Sequence, residues 1–369
     1  MNIIKKQVIN NTQGIGGCII FFTAAICILS LPSASSKGAF EGLKICSNII
    51  IPSLFPFTVL SILFQKSGGI LWLGKALNKI TLLFLGLNGI DFSVILLSLV
   101  GGYPIGAKTI NELYKTGKIS KEKGKNLLRF CVNPSPAFFI SALGINILQN
   151  KKAGWILLSS NAVACIILNM IFSRCKNDTK SAKKHIIAQS ESISDAFVDS
   201  VFDAAKITIY ICAFVTLFSS ILEIVKPIFQ NTQIYSILCP ILEISFGISK
   251  LPNSKIPIYF YSLMLSFGGI STICQIKQIT DALKPSFLEL FFFRIIHGLL
   301  ATLTSFVLFK IFPQSTMVFS NGTQIQFSGY TLFFPSIMLI VFSVLFLMFL
   351  SPKNKKIDNF KNNKYNFER

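Results

Sequence analysis

The sequence predicts an all-α, polytopic membrane protein with about eight to ten membrane segments, some of them broken or re-entrant. Three observations support this prediction. Hydrophobic residues make up 52% of the 369-residue chain, and its mean hydropathy is +0.63. Charged residues make up only 14%, against roughly 25% in soluble domains. Apolar stretches of about 20 residues, the length of a membrane-spanning helix, recur along the whole chain.

The apolar stretches and the polar segments between them divide the chain into six regions. These are an N-terminal membrane helix at 1–36, a first repeat at 37–173, a basic linker at 174–192, a second repeat at 193–311, a loop and last membrane helix at 312–350, and a basic tail at 351–369. The end of the first region also resembles a signal-peptide cleavage site, but we interpret the helix as uncleaved. Pro52 and Pro56 predict either a kinked span or a re-entrant hairpin at 48–64.

The formal net charge is +20, and basic residues cluster at 108–129, 174–184 and 353–369. Basic residues beside membrane helices mark cytoplasmic segments, so we place these clusters in the cytoplasm. They lack the fold and the interleaved aromatic residues of a nucleic-acid-binding module, so no nucleic acid is expected as a partner. The expected environment is the lipid bilayer of the cell membrane. The nine cysteines include no C-x-x-C pair, so neither a disulfide framework nor a metal site is predicted.

The most informative stretch is Gly-Gly-Tyr-Pro-Ile-Gly-Ala-Lys at 101–108, directly after an apolar run. Glycine costs about 1 kcal/mol and proline about 3 kcal/mol inside a helix, so this segment is predicted to be broken. Broken backbone at membrane depth occurs only where protein covers it or where it lines a cavity. A second interruption is predicted at 265–275, which contains Gly268 and Gly269. Paired interruptions in two halves indicate a transporter binding site.

Other landmarks also recur in the same order, which predicts an internal duplication. Gly101 and Gly102 correspond to Gly268 and Gly269, and Arg129 corresponds to Arg294. Whether the two repeats are parallel or inverted stays open, because the number of true crossings is not fixed by the sequence.

The two interruptions and the nearby Asn-Pro-Ser-Pro segment supply the candidate solute-binding residues. They are Gly101, Gly102, Tyr103, Pro104, Lys108, Asn133, Ser135, Ser266, Gly268, Gly269, Ser271 and Gln275. Amides freed at a helix start attract anions, and Lys108 would complete such a site. The alternatives are that Lys108 extends to water at the membrane surface, and that the neutral polar residues only join helices by hydrogen bonds.

Two carboxylates within or beside apolar stretches, Glu243 and Glu289, are candidate sites for a coupling ion or proton. For Glu289 the alternative is an ion pair with Arg294.

The sequence contains no HExxH, GxSxG, P-loop or paired-carboxylate motif, so we expect neither an enzyme nor a bound cofactor. Three aspartates recur every four residues, at Asp195, Asp199 and Asp203. This spacing is typical of a solvated helix face, and a divalent-ion site is the less favoured alternative.

Three motifs resemble those of the YlbJ-type sporulation integral membrane proteins. They are Gly-Gly-Tyr-Pro-Ile-Gly-Ala-Lys at 101–108, Asn-Pro-Ser-Pro at 133–136 and Ser-Phe-Gly-Gly-Ile-Ser at 266–271. The first is the most specific, and the resemblance extends over roughly residues 15–311. The family usually has serine at the position of Gly101.

The resemblance implies that both repeats are similar to the nucleoside-recognition, or gate, domain of concentrative nucleoside transporters. It also implies a role in endospore formation. Members of the family are thought to move dipicolinate, a small planar dianion, from the mother cell towards the developing spore. The resemblance therefore implies a carrier of a small anionic solute, expected to be dipicolinate, in the membrane around the forespore.

Two alternatives remain open. A nucleoside or another small solute would use the same interruptions, although Tyr103 is the only aromatic residue at the first of them. A non-transporting scaffold would hold partners at the spore membrane, either as a homo-oligomer or with other sporulation membrane proteins. Such a scaffold would depend on the basic loops and tail more than on the interruptions.

Overall fold

The computed structural model describes residues 2–174, 193–229, 231–254 and 256–313. These residues form helices joined by short turns, and they contain no β-strand. Most of the linker predicted at 174–192, the last membrane helix predicted within 312–350 and the tail predicted at 351–369 lie outside them.

Fourteen α-helices occur in this part of the chain. They are α1 (Asn2–Ser30), α2 (Pro32–Ile45), α3 (Ile51–Lys66), α4 (Gly69–Leu85), α5 (Gly89–Gly101), α6 (Tyr103–Lys115), α7 (Lys121–Leu128), α8 (Lys151–Arg174), α9 (Ile193–Val225), α10 (Thr232–Leu242), α11 (Ile244–Gly247), α12 (Phe260–Phe267), α13 (Gly269–Ile279) and α14 (Phe287–Ile311). A π-helical segment, Phe138–Ile147, precedes α8.

Four helical stretches in the described ranges are long and apolar enough to cross a membrane: Pro32–Lys66, Lys151–Phe172, Ile193–Ile228 and Phe287–Ile311. The pair α4 and α5, which is bent by 95° at its junction, would form a fifth. The prediction of an all-α, multi-pass membrane protein is therefore confirmed. The total of eight to ten segments stays a prediction, because it also counts shorter segments and one outside the described ranges.

The first long span continues through its prolines. Helix α2 continues into α3 through a π-helical turn at Cys46–Ile50. Pro52 has no N–H to donate to the preceding turn, which favours this wider turn just before it. Residues 48–64 are therefore part of one continuous helical span, with a π-helical turn at its middle, and not a re-entrant hairpin.

Two glycines let α2 pack directly against the backbone of α9. Gly38 and Gly42 lie on the same buried face of α2. A Cβ on Gly38 would lie 2.4 Å from the carbonyl oxygen of Ser219, and one on Gly42 would lie 2.9 Å from the Cα of Thr216. Small residues at this spacing allow close helix packing in membranes. Because α9 also contacts α3, it packs along the whole first span.

The helices follow a similar order in the two predicted repeats. Each repeat begins with a long span, α2–α3 or α9, and continues with a shorter apolar helix, α4 or α10. A helix interrupted at glycine follows, α5–α6 or α12–α13. Helices α8 and α14 end the repeats and pack against each other. This common order agrees with the duplication, whose boundaries stay a prediction.

We expect Gly38→Val to destabilise the protein, because a branched side chain fits between α2 and α9 only if the helices separate. The apparent free energy of unfolding in mixed micelles should fall by about 2 kcal/mol, as in other overpacked interiors. The matched control is Gly17→Val on α1, where a Cβ would meet no atom within 4 Å. Equal losses of stability in the two variants would contradict this account of the α2–α9 contact.

Candidate functional site

The first interruption lies at Gly102, between α5 and α6. Its φ of +87° favours glycine, and Pro104 at the second position of α6 cannot continue the hydrogen bonds of α5. The Gly102 N–H ends α5 by donating to the Ser98 carbonyl at 3.1 Å. Helix α6 therefore begins a new N-terminus inside the protein.

The second interruption lies at Gly268 and Gly269, between α12 and α13. Both residues have positive φ, +81° and +86°. The Gly268 N–H closes α12 on the Met264 carbonyl at 2.9 Å. A Cβ on Gly269 would lie 3.1 Å from the carbonyl oxygens of Pro240 and Leu242, so the start of α13 packs closely against the end of α10.

The two interruptions contact each other through Tyr103. Its hydroxyl donates a hydrogen bond to the Leu265 carbonyl near the end of α12. Its ring covers Gly268, where a Cβ would lie 3.1 Å from the Tyr103 Cε1. The broken segments of the two predicted repeats therefore cross in the protein interior. We call this place the crossing.

A fully buried arginine lies beside the crossing. Arg294, in α14, donates from Nε to the Phe267 carbonyl at 3.2 Å, and from its two terminal nitrogens to the carbonyls of Ser266 and Val132. The Phe267 and Ser266 carbonyls belong to the last turn of α12. No N–H group within this helix can donate to them, and this end of the helix carries partial negative charge. The guanidinium also lies 5.7 Å from the ring centroid of Tyr103. Arg294 thus joins the second interruption to the extended segment at 132–135.

The charge of Arg294 is balanced by backbone dipoles. No described carboxylate lies within 4 Å of it. Charged residues inside membrane proteins are rare and are usually functional.

Buried polar side chains form a chain of hydrogen bonds between the two halves. The Asn133 amide donates to Ser98 Oγ at 3.1 Å, and the Asn161 amide donates to Asn133 Oδ1 at 3.2 Å. The Ser266 hydroxyl completes it by donating to Asn161 Oδ1 at 2.7 Å. Each of these polar side chains has a hydrogen-bond partner among the others. Asn133 and Ser266 therefore join helices by hydrogen bonds, which is the alternative to solute binding that the sequence offered for them.

A small cavity lies at the crossing. Its volume of about 30 Å³ has room for about two water molecules. Its polar lining residues are Tyr103, Ser135, Glu243, Ser245, Thr272 and Gln275. Residues from the first turns of α6 and α13 line this space, so two partially positive helix ends lie beside it.

Among the described residues that line this cavity, Glu243 alone is acidic, and it is 1% exposed. It lies in extended conformation between α10 and α11, where it forms a third break in the helices. Its Oε2 accepts a hydrogen bond from the Phe246 N–H at 2.5 Å. A carboxylate and two helix N-termini therefore face the same space.

Two predicted residues do not reach the crossing. The Lys108 ammonium lies 2.8 Å from Asp203, in a separate cavity between α3, α6 and α9. The Glu289 carboxylate accepts from Arg129, at 2.9 Å from Nε and 2.7 Å from the terminal nitrogen, instead of pairing with Arg294. The structure therefore places Lys108 and Glu289 away from the crossing, and their roles in solute binding and coupling stay predictions.

The remaining predicted residues stay at or beside the crossing. Gly101, Gly102, Gly268 and Gly269 form or flank its breaks, and Ser271 accepts from the Gln275 amide at 3.2 Å. Their roles in solute binding stay predictions.

The roles of Arg294 and Asn161 were missed from the sequence. The signal for Arg294 was its place in an apolar helix, where a charge indicates a function by default. Asn161 had no comparable signal, because an amide in an apolar helix is a common packing residue.

No protein-family model and no solved structure matches the chain. The chain is 22% identical over 342 residues to the sporulation integral membrane protein YlbJ of Bacillus subtilis (strain 168). The match covers 81% of this chain and 83% of that protein.

The similarity thus extends far beyond the three motifs. The described membrane-spanning helices agree with the relative's being an integral membrane protein. The nucleoside-recognition part of the resemblance stays a prediction. The resemblance to the YlbJ-type sporulation integral membrane proteins is confirmed, and the chain is a multi-pass membrane protein related to them.

Proposed function

We propose that the protein is a carrier that moves a small anionic solute across the membrane during sporulation, and that it has no enzymatic activity. The observation that carries this proposal is the contact of two helix interruptions beside a cavity that polar and apolar side chains line together inside the protein. Discontinuous helices that meet near the membrane midplane are typical binding sites of secondary transporters.

The charges around the crossing favour an anion. Two helix N-termini border the cavity, and the buried Arg294 guanidinium lies behind Tyr103. In transporters with broken helices, such N-termini point at the anionic groups of the substrate. Dipicolinate, with two carboxylates on a small ring, suits this arrangement, and the relative's role in sporulation supports it as the solute.

Transport requires the crossing to open. A solute pocket usually measures about 300–1,000 Å³, whereas the cavity at the crossing measures about 30 Å³. Opening would separate Tyr103 from Leu265 and Gly268, which are the contacts that close the cavity between the halves.

Glu243 would couple transport to protons. An ionised carboxylate and an anionic solute repel each other strongly in the small, water-poor cavity, so the solute would enter when Glu243 is protonated. Among the described residues that line the cavity, Tyr103 is the other titratable side chain.

The first test is uptake of radiolabelled dipicolinate by vesicles that contain the purified full-length protein. We expect saturable uptake above that of empty vesicles. Uptake of uridine in place of dipicolinate would favour a nucleoside carrier. Uptake of neither solute by correctly inserted protein would contradict transport and favour a scaffold.

Gly268→Ala should reduce dipicolinate uptake about tenfold or more. The alanine strains a backbone with φ of +81° and pushes its Cβ against the Tyr103 ring at 3.1 Å. The matched control is Gly117→Ala, which has a similar φ of +70° but no atom within 4 Å of the added Cβ. If both variants transport equally, the geometry of the crossing is not required.

Glu243→Gln should remove the effect of pH on uptake. With wild-type protein, vesicles that are acidic outside should take up dipicolinate several-fold faster than vesicles without a proton gradient. The substituted amide side chain cannot exchange a proton, so uptake by this variant should not respond to the gradient. Glu41→Gln is the control, since Glu41 pairs with Lys250 away from the cavity, at 3.4 Å. A response that persists in Glu243→Gln would exclude this role.

A further inference from the structure

A second, larger cavity lies between α3, α6 and α9, next to the basic loop at 108–129. Its volume is about 570 Å³, within the range of small-molecule pockets. Five lysines line it, against two carboxylates, those of Glu112 and Asp203. The positive-inside rule predicts that it opens towards the cytoplasm. We call it the lysine cavity.

Two of the lysines share one carboxylate, and Lys66 also pairs with Asp199 at 3.3 Å. Asp203 Oδ2 lies 2.8 Å from the Lys108 ammonium and 3.4 Å from the Lys66 ammonium. The lysine side chains are 16% and 24% exposed and Asp203 is 36% exposed, so the three groups lie in the cavity wall and not on the open surface. Because both ammonium groups contact the same oxygen, they lie close enough together to bind one small ligand.

The remaining charges leave the cavity positive. Lys115 contacts Glu112 at 3.6 Å and Asp281 at 3.1 Å. Lys118 and Lys206 also line the cavity, and neither has a carboxylate within 4 Å among the residues that the structure describes. A concave surface with one sign of charge concentrates ions of the opposite sign.

We infer that the lysine cavity binds a small dianion, such as a dicarboxylate, through Lys66 and Lys108, and that Asp203 competes with this ligand for the two ammonium groups. A carboxylate of the ligand would replace the Asp203 carboxylate between the lysines, and the uncompensated lysines would attract its second negative charge.

The position of the cavity relates it to the crossing. Lys108 lies about 7 Å beyond Tyr103 along α6, at about 1.5 Å per residue. One helix therefore borders both cavities, with its first turn at the crossing and its later turns at the lysine cavity. The inference extends the proposed transport, but binding at equilibrium does not require transport.

The experiment measures binding of labelled dipicolinate to purified full-length protein in zwitterionic detergent at low ionic strength. Picolinate, which has one carboxylate, is the comparison ligand. We expect picolinate to bind at least about tenfold more weakly. Equal affinity for the two ligands would overturn the assignment of a dianion.

Asp203→Asn separates competition from a structural role. It removes the carboxylate that both lysines share and leaves only Asp199 on Lys66, so dipicolinate should bind about fivefold or more tightly, whereas a purely structural ion pair predicts no gain. Asp203→Glu keeps the charge and should bind like the wild type. If folded Asp203→Asn protein binds dipicolinate with unchanged or lower affinity, Asp203 does not compete with the ligand.

Lys108→Gln and Lys66→Gln provide the second measurement, and they decide the question if Asp203→Asn fails to fold. Each should weaken dipicolinate binding about tenfold or more. The matched control is Lys79→Gln. Lys79 is exposed on α4 and lies outside the cavity, so the affinity of this variant for dipicolinate should stay within about twofold of the wild type. If neither substitution lowers the affinity for dipicolinate, the lysine cavity is not the binding site. If these variants lose binding while vesicle uptake by the wild type is absent, the site is retained and the transport proposal alone fails.

Discussion

The hydrogen bonds between Arg294 and three backbone carbonyls are the interaction on which the crossing depends. A helix that stops inside a membrane protein leaves carbonyl groups without donors, and each would be costly to bury unpaired. A buried guanidinium would be equally costly without acceptors. Here the carbonyls of Ser266, Phe267 and Val132 and the Arg294 guanidinium satisfy one another. The break in α12 and the charge in α14 are therefore stable only together.

This interaction also explains why the crossing is polar but nearly free of carboxylates. Arg294 uses its donors on the backbone, so it needs no acidic partner, and Glu243 remains as the single acidic residue of the cavity. The neutral hydrogen bonds from Ser98 through Asn133 and Asn161 to Ser266 hold the halves together beside it. An anion at the crossing would thus face dipoles and one carboxylate whose protonation can change.

The sequence predicted the breaks well because glycine and proline have large local effects on a helix. It did not predict which groups the breaks would bring together, since Tyr103 and Leu265 are far apart in the chain. Lys108 was placed at the crossing because it belongs to the same motif, but α6 starts at Tyr103 and carries Lys108 past it. The expected Glu289–Arg294 pair could have been rejected from the sequence. Residues five apart do not share a helix face, whereas pairs three or four apart do.

The distribution of bonds at the crossing limits how it can open. Arg294 contacts two carbonyls of α12 and lies in α14, which packs against α12, so these two helices form one unit. One hydrogen bond joins this unit to α6, from Tyr103 to Leu265, and one joins it to the segment at 132–135, from Arg294 to Val132. Several bonds hold the unit to α8, including those of Ser262 with Ser160, Ser266 with Asn161 and Thr304 with Ser160. The unit would therefore separate from α6 and from residues 132–135 more easily than it would come apart internally. Such a movement would widen the space beside Ser135 and Thr272. Gly102 and Gly268, which already have positive φ at the two breaks, would absorb the change in backbone angle.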